Sequence, residues 1–461
     1  MDERGRVQTR LHEGRHEVIG AWGRTTRPVG ASFHEIGGCV RKAFLATIML
    51  LTVACATYTS RMELSRDLYY GGRYGDALAN LDKLVKDAAE RDYYLFLLER
   101  GKVSLAAGAY DSAIVDLQKA ERRFLEIEAT VSVADLFKNM LVNPSMGEYQ
   151  PEPHEKIMIS SYLLLAYWLK GDREGAFVER NRLVERLKQY TGQLSDQDRA
   201  ALDVPFAHYL AAVLYEIEGR EDDARIEYDV LEKIAPDVVP SPLDAKLDEL
   251  IVFTEVGRAP VKVSTEIRGY LQKDGASLVG FFNLPGSAGP QMFMLPGFGD
   301  LRIDKPGVLF TFAFPQCVRE RRVVERCKLV VDGVEAGEMK PLDNLENTAY
   351  AAYEKGLPLT LLKAAFRTYL KTVVQTKLGD TDDAKGIAFD VLGKVLASVD
   401  RADTRSWQTL PSEIRVFRME CGPGERKVSV RYLDAKGNVV GMSGSVHVSS
   451  GRGTKTIVFL I

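Results

Sequence analysis

The chain has 461 residues, of which 46% are hydrophobic and 27% are charged, as in ordinary globular proteins. This composition excludes a collagen-like, wholly disordered or polytopic membrane protein, and the length suggests two or three domains. The net charge of −3 provides no strong basic field for binding nucleic acid. Five cysteines are too few for a scaffold held together by many disulfides.

A short apolar run near the N-terminus predicts export from the cytoplasm. Residues 43–54 follow Arg41 and Lys42 and end immediately before Cys55. Such a short run cannot cross a hydrocarbon core of about 30 Å as an ordinary helix. A basic pair, a short apolar stretch and a small residue before a cleavage site are instead typical of a secretory signal.

The end of this run, Thr52-Val-Ala-Cys55, resembles the lipobox of bacterial lipoproteins, in which Leu is usual at the position of Thr52. The resemblance implies that the Cys55 thiol receives a diacylglycerol group and that cleavage occurs before Cys55. Ala56 replaces the Asp that retains such proteins in the inner membrane, which implies the outer membrane, facing the periplasm. The alternative is an ordinary secretory signal with a coincidental cysteine.

The 39 residues before Val40 are polar, rich in Arg, Gly and His, and without helical or strand periodicity. They have no core to join. Bacterial genes can start at a valine codon, and Gly37-Gly38 can be encoded by a ribosome-binding sequence. We therefore expect residues 1–39 to be a non-native, disordered extension, 40–54 the signal peptide and 55–65 a lipidated tether. A real cytoplasmic leader is the alternative.

Helical periodicity dominates residues 66–240. Four Gly-x-x-x-x-Ala signatures mark helix–helix junctions, since Gly can end a helix in the left-handed conformation and a small Ala allows the next helix to approach closely. They begin at Gly72, Gly108, Gly171 and Gly219. These junctions resemble those of tetratricopeptide repeats, which stack antiparallel helix pairs into a solenoid, here with an insertion at about 131–155. A generic helical bundle is the alternative.

Residues 241–461 are predicted to form a mainly β domain with a helical insertion at about 343–400. Strand patterning covers 261–265, 308–314, 322–331, 413–420, 427–432, 439–448 and 455–460. Because strands flank the helical segment on both sides, we expect one sheet domain. The predicted fold class is thus α+β and multidomain: a TPR-like α-solenoid followed by a mainly β domain.

One distinctive motif lies near the end of the predicted helical insertion: Ala402-Asp-Thr-Arg405-Ser-Trp407-Gln-Thr-Leu410-Pro411. With stretches in 139–159, 171–180, 214–228 and 256–260, it resembles a family of uncharacterised bacterial lipoproteins with a TPR-like N-terminal half. The resemblance covers nearly all of the mature chain. It implies architecture and location, but no catalytic residues. Members are often encoded near lipoproteins that activate penicillin-binding proteins, which is association and not mechanism.

The sequence contains no recognised catalytic or cofactor motif. His154, His208 and His447 are scattered, and metal, nucleotide and nucleophile-elbow motifs are absent, so we expect no enzyme activity, no cofactor and no metal. A carboxylate pair of the glycosidase type stays open, with Glu179 as the best candidate. The preferred interpretation of Glu179 is an ion pair with Arg173, Arg180 or Arg182.

Two further patterns are ambiguous. Cys317 and Cys327 could form a disulfide in the periplasm, Cys421 could replace one of them, or all three could be thiols. Lys363, Arg367 and Lys371 form one basic stripe on a helix. The stripe is interpreted as a solvated face, with contact to lipid head groups as the alternative.

We therefore expect an outer-membrane lipoprotein that acts as a non-catalytic scaffold for envelope proteins or peptides. The concave face of the solenoid would offer a groove, and aromatic or Arg side chains would anchor the partner. The candidate anchors are Tyr162, Trp168, Tyr215, Arg405 and Trp407. For Arg405 and Trp407 we prefer a structural role: Asp403 or Thr404 caps a turn, Arg405 pairs with an acid and Trp407 packs the helical insertion onto the sheet. The alternatives to the scaffold are a carboxylate-dependent cell-wall glycan hydrolase and a passive structural lipoprotein.

Overall fold

The computed structural model describes residues 57–130, 145, 147–240, 248–274, 277–296, 308–377, 402–451 and 454–461. The predicted extension, signal peptide and lipid attachment residue Cys55 lie outside this range. So do residues 131–144 of the first expected insertion and 378–400 of the second. The described residues belong to one compact unit, Thr57–Ile461.

Helices fill the N-terminal half of the described chain, as the periodicity predicts. They are α1 (Tyr58–Tyr70), α2 (Tyr74–Lys86), α3 (Glu90–Ala106), α4 (Tyr110–Thr130), α5 (Pro153–Lys170), α6 (Arg173–Thr191), α7 (Asp196–Leu202), α8 (Pro205–Ile217) and α9 (Glu221–Ile234), followed by a 3₁₀ turn (Pro236–Val238).

The four predicted junctions are confirmed. They join α1 to α2, α3 to α4, α5 to α6 and α8 to α9. Gly72, Gly108, Gly171 and Gly219 all have φ between 72° and 88°, where a Cβ would be strained. The alanine five residues after each glycine is buried, so each second helix packs closely on its neighbour.

The C-terminal half is built mainly from antiparallel strands. They are β1 (Asp248–Val256), β2 (Val261–Asp274), β3 (Ser277–Phe282), β4 (Gln291–Pro296), β5 (Val308–Val318), β6 (Arg326–Val331), β7 (Val334–Glu338), β8 (Lys340–Asp343), β9 (Glu413–Cys421), β10 (Gly424–Leu433), β11 (Val439–Met442), β12 (Val446–Ser450) and β13 (Lys455–Leu460). A helix, α10 (Leu345–Lys377), follows β8.

These strands form three sheets. The first has the order β13-β1-β9-β8, the second β4-β3-β2-β5, and the third β11-β10-β6-β7 with β12 also paired to β10. The pairing of β1 with β13 is parallel, whereas β1 and β9 are antiparallel. The predicted strand 439–448 is divided into β11 and β12.

Strand β1 has no counterpart in the sequence prediction, yet it is central to the first sheet. All nine of its residues are buried. Two of its carboxylates meet cations from distant elements: Glu249 pairs with Lys455, and Glu255 with Lys102 of α3. Buried strands are usually continuous apolar runs in the sequence. The two acids interrupt that pattern, which is why β1 was not predicted.

One hydrophobic core joins the two halves of the chain. It includes Phe96 and Phe206 from the helices, Phe253 from β1 and Ile457 from β13. The Phe206 and Phe253 rings lie 5.5 Å apart, edge to face, a geometry that adds to the stabilisation from burial. The expected domain boundary at residue 240 therefore does not separate two independent cores.

Two smaller cores complete the β half. In one, Leu362 and Phe366 of α10 pack on Phe282 and Phe314 of the second sheet. The other lies between the first and third sheets and contains Val252, Leu329 and Val430, among others. Each sheet thus has at least one face covered by another element, as layered folds require.

The structure decides between the alternatives for two patterns in this half. Cys317, Cys327 and Cys421 are free thiols, which is the last of the three alternatives given for them, and the possible Cys317–Cys327 disulfide is not formed. On α10, Arg367 is buried and Lys363 is half-buried, so the expected basic stripe is not a fully solvated face. The side chain of Lys371 lies outside the described set.

Candidate functional site

The segment 402–412, which contains the sequence motif 402–411, lies against the first helices of the repeated pairs. We call the surface of α1, α3 and α5 that contacts this segment the first-helix face. Glu99 of α3 is fully buried, and its carboxylate accepts the backbone N–H groups of Gln408 (2.7 Å) and Thr409 (3.0 Å). It also accepts the Tyr58 hydroxyl at 2.7 Å. Burial raises the pKa of Glu99 to about 7, although these hydrogen bonds oppose the shift.

A second carboxylate, Glu155 at the start of α5, holds the same segment. One oxygen accepts the Trp407 backbone N–H at 2.9 Å, and the other accepts the Glu152 N–H at 2.8 Å and the Tyr149 hydroxyl. The Trp407 ring packs edge to face on Tyr162 of α5, 5.7 Å between centroids. The segment is therefore bound through its backbone and its largest side chain together.

Arg405 closes this interface at its other end. Its guanidinium donates to the Asp403 carboxylate and to the backbone carbonyls of Arg91 (2.9 Å) and Gly147 (2.8 Å), and lies 3.6 Å from Asp92. Burial would raise the pKa of Asp403, but the hydrogen bonds from Arg405 hold it below its ordinary value. The expected pairing of Arg405 with an acid is confirmed, as is the turn at Asp403, whose carboxylate accepts the Arg405 N–H.

Deeper in the same interface, Lys102 and Glu255 form a buried ion pair at 2.8 Å. The Tyr162 hydroxyl donates to the other Glu255 oxygen at 2.6 Å, and Tyr69 lies within hydrogen-bond distance of both charged groups. Burial lowers the pKa of Lys102, and Glu255 opposes that shift. Such a pair is stable only when its polar atoms are satisfied, as they are here.

These contacts place all five candidate partner anchors inside the folded chain. Tyr162, Arg405 and Trp407 belong to the first-helix face and its segment, and at most 5% of each residue is exposed. Trp168 is covered by the Arg173 guanidinium, 3.3 Å from its ring centroid. Tyr215 lies between Arg180 and Arg220, at 4.0 and 4.8 Å. The expectation of exposed anchors in an open groove is thus corrected: the chain's own segment fills that face.

Glu179, the best carboxylate candidate from sequence, pairs with Arg182 at 2.7 Å. This confirms the ion-pair interpretation. Burial raises its pKa, with a smaller contribution from Glu121. Its second oxygen is buried without a hydrogen-bond partner, and the neighbouring acid Glu121 forms its own ion pair with Arg186 at 2.7 Å.

A different acidic site lies where α7, α8, the 3₁₀ turn, β8 and α10 meet. We call it the Asp203–Asp343 cleft. Its volume is about 600 Å³. Its walls are mixed: Ala201, Pro205, Ile234, Val238, Leu342 and Ala351 contribute apolar surface, and Asp237, Arg319, Asn344, Asn347 and Glu354 contribute polar surface. Asp203 ends α7 and Asp343 ends β8, so each carboxylate is held at the boundary of a regular element.

Behind Asp203 lies a buried histidine. The Nε2 atom of His208 is 3.2 Å from an Asp203 oxygen, and its Nδ1 atom is 2.6 Å from Glu227. Burial would lower the pKa of His208, but the two carboxylates outweigh it and raise the value to about 9. At neutral pH an imidazolium therefore bridges Asp203 and Glu227.

Each of the two aspartates has one carboxylate oxygen in a hydrogen bond to the backbone and one without a partner. Asp343 Oδ2 accepts the Phe206 N–H at 3.1 Å, and Asp203 Oδ1 accepts the Val204 N–H at 2.8 Å. Asp343 Oδ1 and Asp203 Oδ2 are buried without a hydrogen-bond partner. Burial raises the pKa of Asp343 to about 7, and the negative charge of Asp203 adds to the shift. Unpaired buried acceptors of this kind are costly and cluster at functional sites.

Sequence reasoning missed both aspartates. Asp203 stands before Val204-Pro205 and Asp343 before Asn344-Leu345, each just ahead of a helix. An aspartate in that position is typical of helix capping. The two residues are 140 positions apart, so no short stretch of sequence indicates that they line the same cleft. The one local hint was His208, a lone histidine on an apolar helix.

Comparison with protein-family models, curated proteins and solved structures gave no match. No helix in the described part of the chain has the length and apolar character needed to cross a membrane. Within the same residues, no three His, Cys, Asp or Glu side chains are arranged to hold a metal ion.

Proposed function

We propose that the chain is an outer-membrane lipoprotein, anchored through Cys55 and facing the periplasm, that acts as a non-catalytic protein-binding scaffold in envelope or peptidoglycan-synthesis assembly. Its helical half would be a TPR-like solenoid. The four helix pairs with glycine junctions support this architecture, and the lipobox resemblance supports the location. The Asp203–Asp343 cleft is the proposed partner site.

The observation that carries the proposal is that Asp203 and Asp343, two residues that line this cleft, each have one buried carboxylate oxygen without a hydrogen-bond partner. The first-helix face is already filled by residues 402–412, so a partner must bind elsewhere. In the cleft, a partner that supplies hydrogen-bond donors would remove the cost of two unsatisfied buried acceptors. The apolar parts of its walls would contribute burial of partner side chains.

The partner site can be tested by site-specific photo-crosslinking in cells that make the full, lipidated chain. A photoreactive residue replaces Glu354, which is exposed on the cleft rim, and in the control it replaces Val115 of α4, which is 63% exposed. We expect a discrete crosslinked envelope protein at position 354 and none at 115. The same products at both positions, or none at either, would contradict the proposed site.

The anchor has its own test. Cys55→Ala should abolish incorporation of labelled palmitate and leave the precursor uncleaved. Labelling that persists in this variant would contradict lipidation at Cys55.

A second candidate function is carboxylate-dependent hydrolysis of cell-wall glycan. It is favoured by one observation: Asp343, with its pKa raised to about 7, shares the cleft with Asp203. Two carboxyl groups in one cleft, one of them with a raised pKa, is the arrangement used by glycosidases. Release of reducing ends from purified peptidoglycan, lost in Asp343→Asn, would establish the hydrolase and overturn the scaffold proposal.

A further inference from the structure

One edge of the third sheet is formed by β11 and β12, which pair one after the other with the same side of β10. We call residues 439–450 the open edge, because no strand among the described residues pairs with their other side. An edge of this kind presents backbone N–H and C=O groups that can pair with a further strand.

The open edge differs in composition from the other edge strands. Natural proteins protect sheet edges with charged residues or proline, among other devices. Each of the other five edge strands in the described sheets contains such a residue: β13 has Lys455, β8 has Lys340 and Pro341, β4 has Pro296, β5 has Pro315, and β7 has Glu335 and Glu338. Residues 439–450 contain no Asp, Glu, Lys, Arg or Pro. The open edge therefore lacks the residues that discourage pairing elsewhere in this molecule.

Apolar side chains are exposed on both faces of the open edge. Met442 lies opposite Arg431, and Val446 lies opposite Val428. Because Arg431 and Val428 are three positions apart on β10, Met442 and Val446 lie on opposite faces of the sheet. Met442 is 56% exposed and Val446 is 38% exposed. A further strand would cover apolar surface on both faces, and this burial would add to the backbone hydrogen bonds.

The chemistry of the open edge favours a second copy of this chain as the added strand. In a two-fold dimer the same surface of both subunits forms the contact, so it must be complementary to itself. Like charges directly opposite each other destabilise a strand pair. The open edge brings no such charges, whereas the same pairing of β7 would place acidic residues Glu335 and Glu338 close to their counterparts.

We propose that the chain forms a two-fold dimer in which the open edges of two copies pair as antiparallel strands. The third sheets of the two copies then form one continuous sheet across the two-fold axis. One strand pair is a small contact, and interfaces below about 1,200 Å² are typical of weak or transient association. The dimer should therefore dissociate on dilution.

Sedimentation equilibrium of the full mature chain in a density-matched detergent tests the stoichiometry. We expect the average protein mass to rise from one chain toward two with increasing concentration. Met442→Lys adds a charge near the middle of the open edge and should weaken association at least about fivefold, because the two lysines repel each other. Val334→Lys, at a 70% exposed position of β7, is the matched control and should leave association unchanged.

Disulfide cross-linking in cells that make the full chain locates the contact without relying on a disruptive variant. Single cysteines replace Val440, Met442, Gly444 and Val446 in turn, and Val334→Cys is the control. Only residues beside a two-fold axis lie close enough to their own counterparts to form a disulfide. The yield of cross-linked dimer should therefore peak at one position, or at two neighbouring ones, and fall on both sides. The wild type measures the background from the native thiols.

Three results would overturn the inference: a single-chain mass at every concentration, equal association of Met442→Lys and Val334→Lys, or cross-linking at position 334 as strong as along the open edge. A disulfide from position 442 to a different protein, with no dimer, would assign the open edge to that partner and overturn the second copy. The dimer depends neither on Cys55 nor on the Asp203–Asp343 cleft, so the tests of the proposed function are independent of it.

Discussion

The first-helix face and the Asp203–Asp343 cleft both bury a carboxyl group whose pKa is raised to about 7, yet they differ in how its oxygens are used. Both oxygens of Glu99 accept hydrogen bonds, from Tyr58, Gln408 and Thr409. Asp343 has one oxygen in a hydrogen bond and the other free. A raised pKa therefore does not identify a site by itself. The difference lies in whether the fold satisfies the buried group or leaves it for a ligand.

This contrast divides the molecule by role. The first-helix face joins the N-terminal helices to a segment more than 300 residues later in the chain, so its satisfied charges hold the fold together. In the cleft, by contrast, two buried acceptors have no hydrogen-bond partner, which lowers the stability of the fold. Proteins in general keep such destabilising groups where function needs them. Changes at the first-helix face should therefore destabilise the protein, and a neutral replacement in the cleft should stabilise it.

The largest effect is expected from separating the N-terminal helical half of the chain from its C-terminal β half. A fragment ending at Pro240 would expose the surface that Phe253, Trp407 and Ile457 cover in the shared core. It would also leave Glu99 and Lys102 without their partners from the C-terminal half. We expect no cooperative unfolding transition for this fragment by circular dichroism. A sharp, two-state transition would show that the helical half is an independent domain after all.

Within the intact chain, Trp407→Ala should cost about 3–5 kcal/mol of unfolding free energy. The Trp407 side chain is 1% exposed, contacts Tyr162 and donates from its indole N–H to Thr409. Urea unfolding measures the loss. Val115→Ala, at an exposed position, provides the control and should change the free energy by less than about 0.5 kcal/mol. Similar values for the two variants would contradict the anchoring role of Trp407.

Lys102→Met should destabilise the protein by about 3 kcal/mol, because it leaves Glu255 buried without its cation. Addition of Glu255→Gln should recover much of this loss, since no uncompensated charge would remain. Unfolding free energies of the two single variants and the double variant complete a double-mutant cycle. Strictly additive losses would show that the pair is not coupled.

The smallest effect, and one of opposite sign, is expected in the cleft. Burial raises the pKa of Asp343 above its unfolded value, so the stabilisation by its neutral form is complete below about pH 4 and is lost as pH rises through about 7. Asp343→Asn mimics the neutral form and should raise the unfolding free energy by about 1 kcal/mol or more at pH 8.

The difference in unfolding free energy between Asp343→Asn and the wild type should decrease from pH 8 to pH 5 and vanish near pH 4. Unfolding in urea across this range measures it. Asp222→Asn controls for loss of a surface charge. A destabilised Asp343→Asn variant at pH 8 would mean that the carboxylate is satisfied in the fold, and it would remove the distinction between the two regions.

Local sequence determined much of the secondary structure. The four glycines end helices because a residue without Cβ adopts their positive φ without strain, and the alanines that follow fit between adjacent helices. Alternating strands such as β2 and β5 were identified because one face is apolar. The glycine junctions and the alternating strand patterns each involve only a few neighbouring residues, so they can be identified without knowledge of the fold.

Tertiary structure decided the rest. Strand β1 carries Glu249 and Glu255 into the core, which is tolerated only because Arg418, Lys455 and Lys102 arrive from distant elements. Likewise, a structural role was expected for Trp407 and Arg405, with Trp407 packing the helical insertion onto the sheet. Only the folded chain shows that both residues contact the N-terminal helices. The Asp203–Asp343 cleft depends on two helix-preceding aspartates 140 residues apart. The energy of a buried charge depends on which partners surround it, and those partners are set by packing and not by sequence neighbours.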